Sequence, residues 1–230
     1  YKDSLKNGDL WITKPTTEGG LKGYDEKTNK INYDDEIAEN HLEKWFMLRS
    51  WKNELPKQLV DIFGNNRLYD QLPCCMFIGE PRSSTRIFNA GYFDLWGIND
   101  KDELCVFELK KSGNDKLGII SELFFYAMLM KDMKQAVKDK YARIQLNHRG
   151  FKDFKENKNE NIVNAYFLVP ELHSFLEKPG VKDNFLNILN EANDGIKFGL
   201  IYFDQDKDIV KDNKELFYKN LISDWKNYPV

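Results

Sequence analysis

Leu104-Cys105-Val106-Phe107-Glu108-Leu109-Lys110 is an apolar run that ends in Glu-x-Lys. Four apolar residues bounded by turn residues read as a buried strand. Alternate side chains of a strand share a face, so Glu108 and Lys110 lie together while Phe107 and Leu109 point the other way, into the core. A second run, Ala90-Gly91-Tyr92-Phe93, ends at Asp94, and Asn99-Asp100-Lys101-Asp102 between the runs reads as a turn. The two strands are then an antiparallel pair on which Tyr92, Asp94 and Trp96 share a face and Asp94 and Glu108 converge. Two carboxylates in near contact repel unless a cation lies between them. Mg²⁺ or Mn²⁺, hard and oxygen-preferring, is the natural filler.

Outward from this pair the chain alternates helical and strand patterns. Asp34-Asp35-Glu36 has the charge of a helix start, and Ile37, His41, Leu42, Trp45, Phe46 and Leu48 follow at helical spacing. Leu55 to Phe63 extends the helical region past Pro56, and Gly64-Asn65-Asn66 stops it. Cys74–Ile78 reads as a strand and Arg86–Ile98 as a second, broken near Asn89-Ala90-Gly91. Lys111-Ser112-Gly113-Asn114-Asp115 is a loop, and Leu117–Met130 is a helix so apolar that it reads as buried on most sides. Strands over Ile162–Val169 and Ile196–Phe203 and helices over Glu171–Leu176, Asn184–Ala192 and Leu216–Trp225 complete the chain. The order α-β-β-β-α-β predicts an α/β fold, a mixed sheet flanked by helices. Residues 1–33, polar apart from Trp11-Ile12, form an N-terminal arm or a small hairpin, and 34–230 a single domain.

Composition narrows the function. The 230 residues are 41% hydrophobic and 31% charged, with a net charge of −3, which suits a soluble globular chain and excludes a generally basic nucleic-acid coat. A local basic lining remains open. Between 131 and 158, Lys131, Lys134, Lys138, Lys140, Arg143, Arg149, Lys152, Lys155 and Lys158 are interspersed with acids, as a solvated surface or a phosphate-tracking patch would be. Cys74, Cys75 and Cys105 form no CxxC pair, which argues against zinc ribbons and iron–sulfur clusters. Cys105 reads as core. Free cysteines and abundant lysine favour a cytoplasmic location, and no apolar stretch of membrane-spanning length points to a membrane partner.

Cleaving a phosphodiester requires an oriented or deprotonated water, compensation of charge on phosphorus and stabilisation of the leaving oxygen. A carboxylate-held metal supplies the first and part of the second. The ammonium of Lys110 beside it supports the water and the developing charge, and an amine next to a metal tends toward a lowered pKa. Glu122, a lone acid in the apolar helix, is costly to bury unpaired and so faces a polar site. Tyr126 lies one turn on, along the same helical face. Glu39 and Glu43, one turn apart on the first helix, are each able to approach the metal from the other side.

His41 on the apolar face of the first helix reads as packed, and His148-Arg149 as a solvated loop. Asp204 and Asp206 read as a polar strand exit, and Trp96 as core rather than a base-stacking residue. No phosphate loop, dinucleotide fingerprint or nucleophile elbow is present.

The motifs Glu39-Asn40-His41-Leu42-Glu43, Gly91-Tyr92-Phe93-Asp94-Leu95, Glu108-Leu109-Lys110 and Glu122-Leu123-Phe124-Phe125-Tyr126 together resemble the PD-(D/E)xK nuclease superfamily, in its RecB-like and NucS-like branches. The resemblance covers roughly residues 34–130, and Ala165-Tyr166-Phe167-Leu168-Val169-Pro170 suits the next strand of that fold. It implies a restriction-endonuclease-like core and a Mg²⁺-dependent (or Mn²⁺-dependent) endo- or exonuclease acting on nucleic acid, with DNA the expected substrate. Asp94 and Glu108 would be metal ligands, Lys110 the catalytic lysine, and Glu39, in preference to Glu43, the helical acid. Tyr126 and Lys111 would contact substrate. Glu122 stands where those families carry Gln and becomes a further candidate ligand. A one-site subunit would need a homodimer for a double-strand cut. The alternative is a catalytically inactive nuclease fold used as a nucleic-acid-binding or assembly module.

Overall fold

A computed structural model describes residues 10–11, 20–32, 37–74, 77–78, 82–86, 91–114, 116–138, 142–143, 150–159, 162–211 and 213–228. The described elements are strands β1 (Leu10–Trp11), β2 (Tyr24–Asp25) and β3 (Lys30–Ile31), helices α1 (Glu39–Trp51) and α2 (Lys57–Phe63), and strands β4 (Leu68–Cys74), β5 (Phe77–Ile78), β6 (Gly91–Ile98) and β7 (Leu104–Leu109). Helix α3 (Gly118–Lys138), β8 (Ala142–Arg143), α4 (Phe151–Glu156), β9 (Val163–Val169), α5 (Val181–Ala192), β10 (Ile196–Tyr202) and α6 (Lys214–Lys226) follow.

The main sheet has the order β10-β9-β7-β6-β4. It is mixed: β4, β6 and β7 pair antiparallel, and β7, β9 and β10 pair parallel. The parallel half needs crossovers, and α3 and α5 supply them. Residues facing these helices, among them Leu104, Val106, Leu123, Ala127, Met130, Val163 and Ala165, form one hydrophobic layer. Leu42, Phe46, Phe63, Cys105, Phe107, Leu109, Ile201, Phe217 and Leu221 form the other, beneath α1, α2 and α6. The protein is therefore α/β, a five-stranded mixed sheet flanked by helices. Among the described residues no helix is long and apolar enough to cross a membrane.

Within the arm, β2 and β3 form a hairpin, and Leu21 and Ile31 bury against the α1 side. Strand β1 joins β5 and β8 in a small second sheet.

Several boundaries differ from the sequence reading. The first helix begins at Glu39, because Ala38 is extended (φ −76°, ψ 147°); Asp34-Asp35-Glu36 lie outside the described residues. The strand expected over Cys74–Ile78 divides into β4 and β5 in different sheets, and β4 starts earlier, at Leu68. Its polar stretch Asp70-Gln71 masks a strand because Asp70 is buried in an ion pair with Lys44 (2.6 Å). Pro73 is tolerated because β4 is the sheet edge. Residues 87–90 of the run expected from Arg86 lie outside the description; Arg86 makes an isolated bridge to Phe77. Glu171–Leu176 is not a helix but a turn at His173, with Leu172 and Leu176 buried. Pro170, Pro179 and Gly180 confine it. Helix α3 is buried on one side only: Phe124, Phe125 and Met128 are exposed.

Candidate active site

The site begins where the β6–β7 ladder ends. Ile98↔Leu104, Gly97↔Cys105, Trp96↔Val106 and Leu95↔Phe107 pair in register, so the next rung would set Asp94 opposite Glu108. There the strands part. Strand β7 stays bonded to β9 through Leu109, and Lys110 N–H donates to the Leu168 carbonyl (3.1 Å). On the β6 side Leu109 N–H donates instead to the Asp94 carboxylate, at Oδ2 (2.9 Å). A side chain has taken the place of a backbone acceptor, which fixes Asp94 against β7.

The parting coincides with a fault in β4 and β6. Residues three apart in a regular strand face opposite sides, yet Phe93 and Trp96 enter the same layer, as do Tyr69 and Leu72, while Leu95 and Leu68 enter the other. Both strands thus reverse parity at one level, where Gln71 on β4 has φ +46°. Gln71 lies between Leu72↔Phe93 and Asp70↔Leu95, across from Asp94. Irregularity of this kind re-aims a side chain at the cost of local pairing. It also separates Trp96 from Asp94: Trp96 is fully buried beside Tyr69 and Phe154.

Around this opening the structure gathers acids from four elements about one amine. Lys110 Nζ donates to Glu108 Oε1 (2.6 Å) and lies 3.3 Å from Glu122 Oε2 and 3.5 Å from Glu39 Oε2. Glu39 is steadied by Asn114, whose side-chain amide donates to Oε1 (2.8 Å). Glu43, buried one turn further along α1, accepts from the Gln71 amide (3.0 Å). Glu39 thus reaches Lys110, while Glu43 presses on Asp94 from the α1 side. Glu122, at the other edge, is half exposed to solvent.

This crowding shows in the proton affinities. Burial, then the Asp94 and Asp70 charges, pushes Glu43 up to about 8. Burial raises Asp94, opposed by Lys110 and the Leu109 N–H. Burial and the facing Asp94 raise Glu108. For Lys110, burial favours the neutral amine, but the carboxylates of Glu108, Asp94 and Glu39 outweigh it and hold the ammonium above its ordinary range.

The two proposed substrate contacts differ in setting. Tyr126 is half-buried, its ring edge-on to Phe93 (5.1 Å) and packed on the α3-side layer. Lys111 is half-buried at the start of the loop after β7. Of the basic stretch, Lys134 is buried and donates to the carbonyls of Phe154 and Asn157, which makes it a structural cap. Lys152, Lys155 and Lys158 are exposed, while His148, Arg149 and Lys140 lie outside the described residues. His41 is packed, bonded to the Lys22 carbonyl (2.8 Å) and edge-on to Tyr218. Asp204 caps the turn Gln205–Val210 through the Lys207 N–H (2.9 Å).

A divalent cation fits this donor set by one direct observation: Glu108 Oε2 is buried and has no hydrogen-bond partner. An unpaired buried carboxylate oxygen is costly, and a hard cation would satisfy it. Among the described residues no three His, Cys, Asp or Glu side chains are grouped as a ready-made metal shell; the carboxylates turn to Lys110 instead. Sequence reasoning did not find Gln71, Asn114 or Lys44. Only the first carries a signal: a polar residue next to apolar Leu72, on the strand that pairs with β6 around Asp94. No protein-family model matches the chain, and no curated protein or solved structure is significantly similar to it.

Proposed function

We propose that this chain is a metal-dependent nuclease with a restriction-endonuclease-like core, hydrolysing phosphodiester bonds in DNA. The observation that carries the reading is the opening of the β6–β7 ladder, where Asp94 and Glu108 face each other beside Lys110 and a buried Glu108 oxygen is unpaired. Asp94 and Glu108 would hold Mg²⁺ or Mn²⁺, with Glu39 the helical acid in reach and Glu122 at the solvent edge. Bound there, the metal would lower the pKa of a water and offset charge on the phosphoryl oxygens. The Leu109 N–H holds Asp94 in place. Lys110, kept charged by its neighbours, orients the attacking water and stabilises charge on phosphorus by its positive field. Asn114 holds Glu39 toward the same point.

Cleavage of plasmid and linear DNA with Mg²⁺ or Mn²⁺ tests this. Lys110→Ala should lower the rate by about a hundred- to a thousandfold with the fold intact, a loss typical of an electrostatic group lost from a reacting centre. Calorimetry should detect Mn²⁺ binding that Asp94→Ala or Glu108→Ala removes. One observation favours a second reading, an inactive nucleic-acid-binding or assembly module: Lys110 is already held among Glu108, Glu39 and Glu122. Absence of Mn²⁺ binding by the intact chain would sink the nuclease reading and leave the module.

A further inference from the structure

The outer face of α3 is apolar where a helix over a sheet normally carries charge. Phe124, Phe125 and Met128 are 36%, 45% and 37% exposed and lie within one turn of the helix, Phe124 stacked on Phe198 (6.0 Å) and Phe125 and Met128 three residues apart beside it; Leu117 (42% exposed) precedes the helix. Residues 124 to 128 span about 6 Å of helix axis. The patch is continuous with the candidate site: Phe125 is one turn from Glu122, which lies 3.3 Å from the Lys110 ammonium. A further exposed aromatic, Tyr92 (44%), stands two residues from Asp94.

The charges around the site bear on what could lie there. Among the described residues, the loop between Lys110 and α3 offers Lys111 and Lys116, against Glu39, Glu122 and Glu171; further along α3, Lys131 and Lys134 are turned to backbone carbonyls. Binding to a duplex draws chiefly on cations matched to closely spaced phosphates, and this rim is poor in them. A duplex also presents its sugar–phosphate surface, against which exposed Phe side chains gain little. An unpaired strand presents base faces, each of which stacks on an aromatic ring regardless of sequence.

We propose that the α3 patch, led by Phe125, is a stacking platform for unpaired bases next to the scissile phosphodiester, so that the substrate is single-stranded nucleic acid or the single-stranded part of a duplex. This deepens the nuclease reading and rests on it. Phe125 is a binding residue, and the chemistry stays with Asp94, Glu108 and Lys110.

The test is fluorescence anisotropy in EDTA, using a labelled 20-nucleotide single strand and the same sequence as a duplex. The intact chain should bind the single strand at least about tenfold more tightly than the duplex. Phe125→Ala should weaken single-strand binding about tenfold, Phe125→Trp should retain it, and duplex binding should not change. Equal or tighter duplex binding, no binding of either form, or an unaffected Phe125→Ala variant overturns the proposal. Cleavage in Mn²⁺ is assayed in parallel with the intact chain and Lys110→Ala. Lys110-dependent cleavage alongside a failed binding test leaves the nuclease reading standing, and absence of cleavage by the intact chain removes that reading itself. Sedimentation of both Phe125 variants covers the other occupant of an apolar patch: a dimer that Phe125→Ala dissociates, with single-strand binding unchanged, assigns the face to a second copy and overturns the proposal.

Discussion

The two ends of the β6–β7 hairpin treat a glutamate in opposite ways. At the turn, Glu103 accepts from the Asn99 amide (3.1 Å) and the Asn164 amide (2.9 Å), and its own N–H donates to Asn99 Oδ1 (3.0 Å). Its hydrogen-bond partners are neutral amides, the charges of Lys197 and Lys101 favour it further, and the turn is fixed. Five residues on, Glu108 has one ammonium at Oε1 and nothing at Oε2, with Asp94 facing it. The same strand pair thus carries one closed polar network and one open one. The closed network is what a fold needs. The open one keeps like charges together beside a buried carboxylate oxygen without a hydrogen-bond partner, an arrangement common at functional sites.

Substitutions at the two ends should separate them. The largest effect is expected from Lys110→Ala in metal-free protein, which strands the Glu108 and Asp94 carboxylates. Denaturant unfolding should show a loss of about 3 kcal/mol and recovery when Mn²⁺ is added. A loss that Mn²⁺ does not reverse would make the site another closed network.

Glu43 comes next. Its folded pKa is raised from 4.5 to about 8, so folding favours its protonated form. That contribution is fully present below about 4.5 and disappears as the pH rises through about 8. The wild type should therefore lose on the order of 3 kcal/mol relative to Glu43→Gln between pH 5 and pH 9. Parallel pH curves for the two proteins would show that Glu43 is not held in this environment.

The smallest effects distinguish a structural glutamate from a peripheral one. Glu103→Gln at the closed end should cost about 1 kcal/mol and leave Mn²⁺ affinity unchanged. Glu122→Gln, half exposed, should change stability by less than about 0.5 kcal/mol. Its Mn²⁺ affinity decides whether it ligates: a drop of about tenfold or more makes it a ligand, and no change makes it a rim charge.

The centre of the site was legible in sequence because strand periodicity and a short turn leave little freedom: with the turn at Asn99–Asp102, the register that pairs Leu95 with Phe107 brings Asp94 to Glu108. Helical spacing offered Glu39 and Glu43 alike, and only the family resemblance preferred Glu39. What escaped was every feature decided by tertiary partners. Asp70-Gln71 reads as loop until Lys44 and Glu43 cover it. Trp96 shares a face with Asp94 only if the strand is regular, and it is not. The apolarity of α3 suggested burial on most sides, yet a helix lying on a sheet has only one face to give it, and the sequence does not say which of two apolar faces that is.

The parity reversal at Gln71 and Asp94 has a consequence for how the chain finds its pairing. Two regular strands can slide by two residues and keep every side chain on its own side, which makes such slips inexpensive. Strands β4 and β6 cannot. Each carries its fault at one position, and the two faults must lie level, or Trp96 and Leu95 are sent to the wrong layers. The irregularity that opens a gap for Asp94 therefore also acts as a key: only one alignment of the strands lets both hydrophobic layers close, and that alignment is the one that assembles the carboxylates.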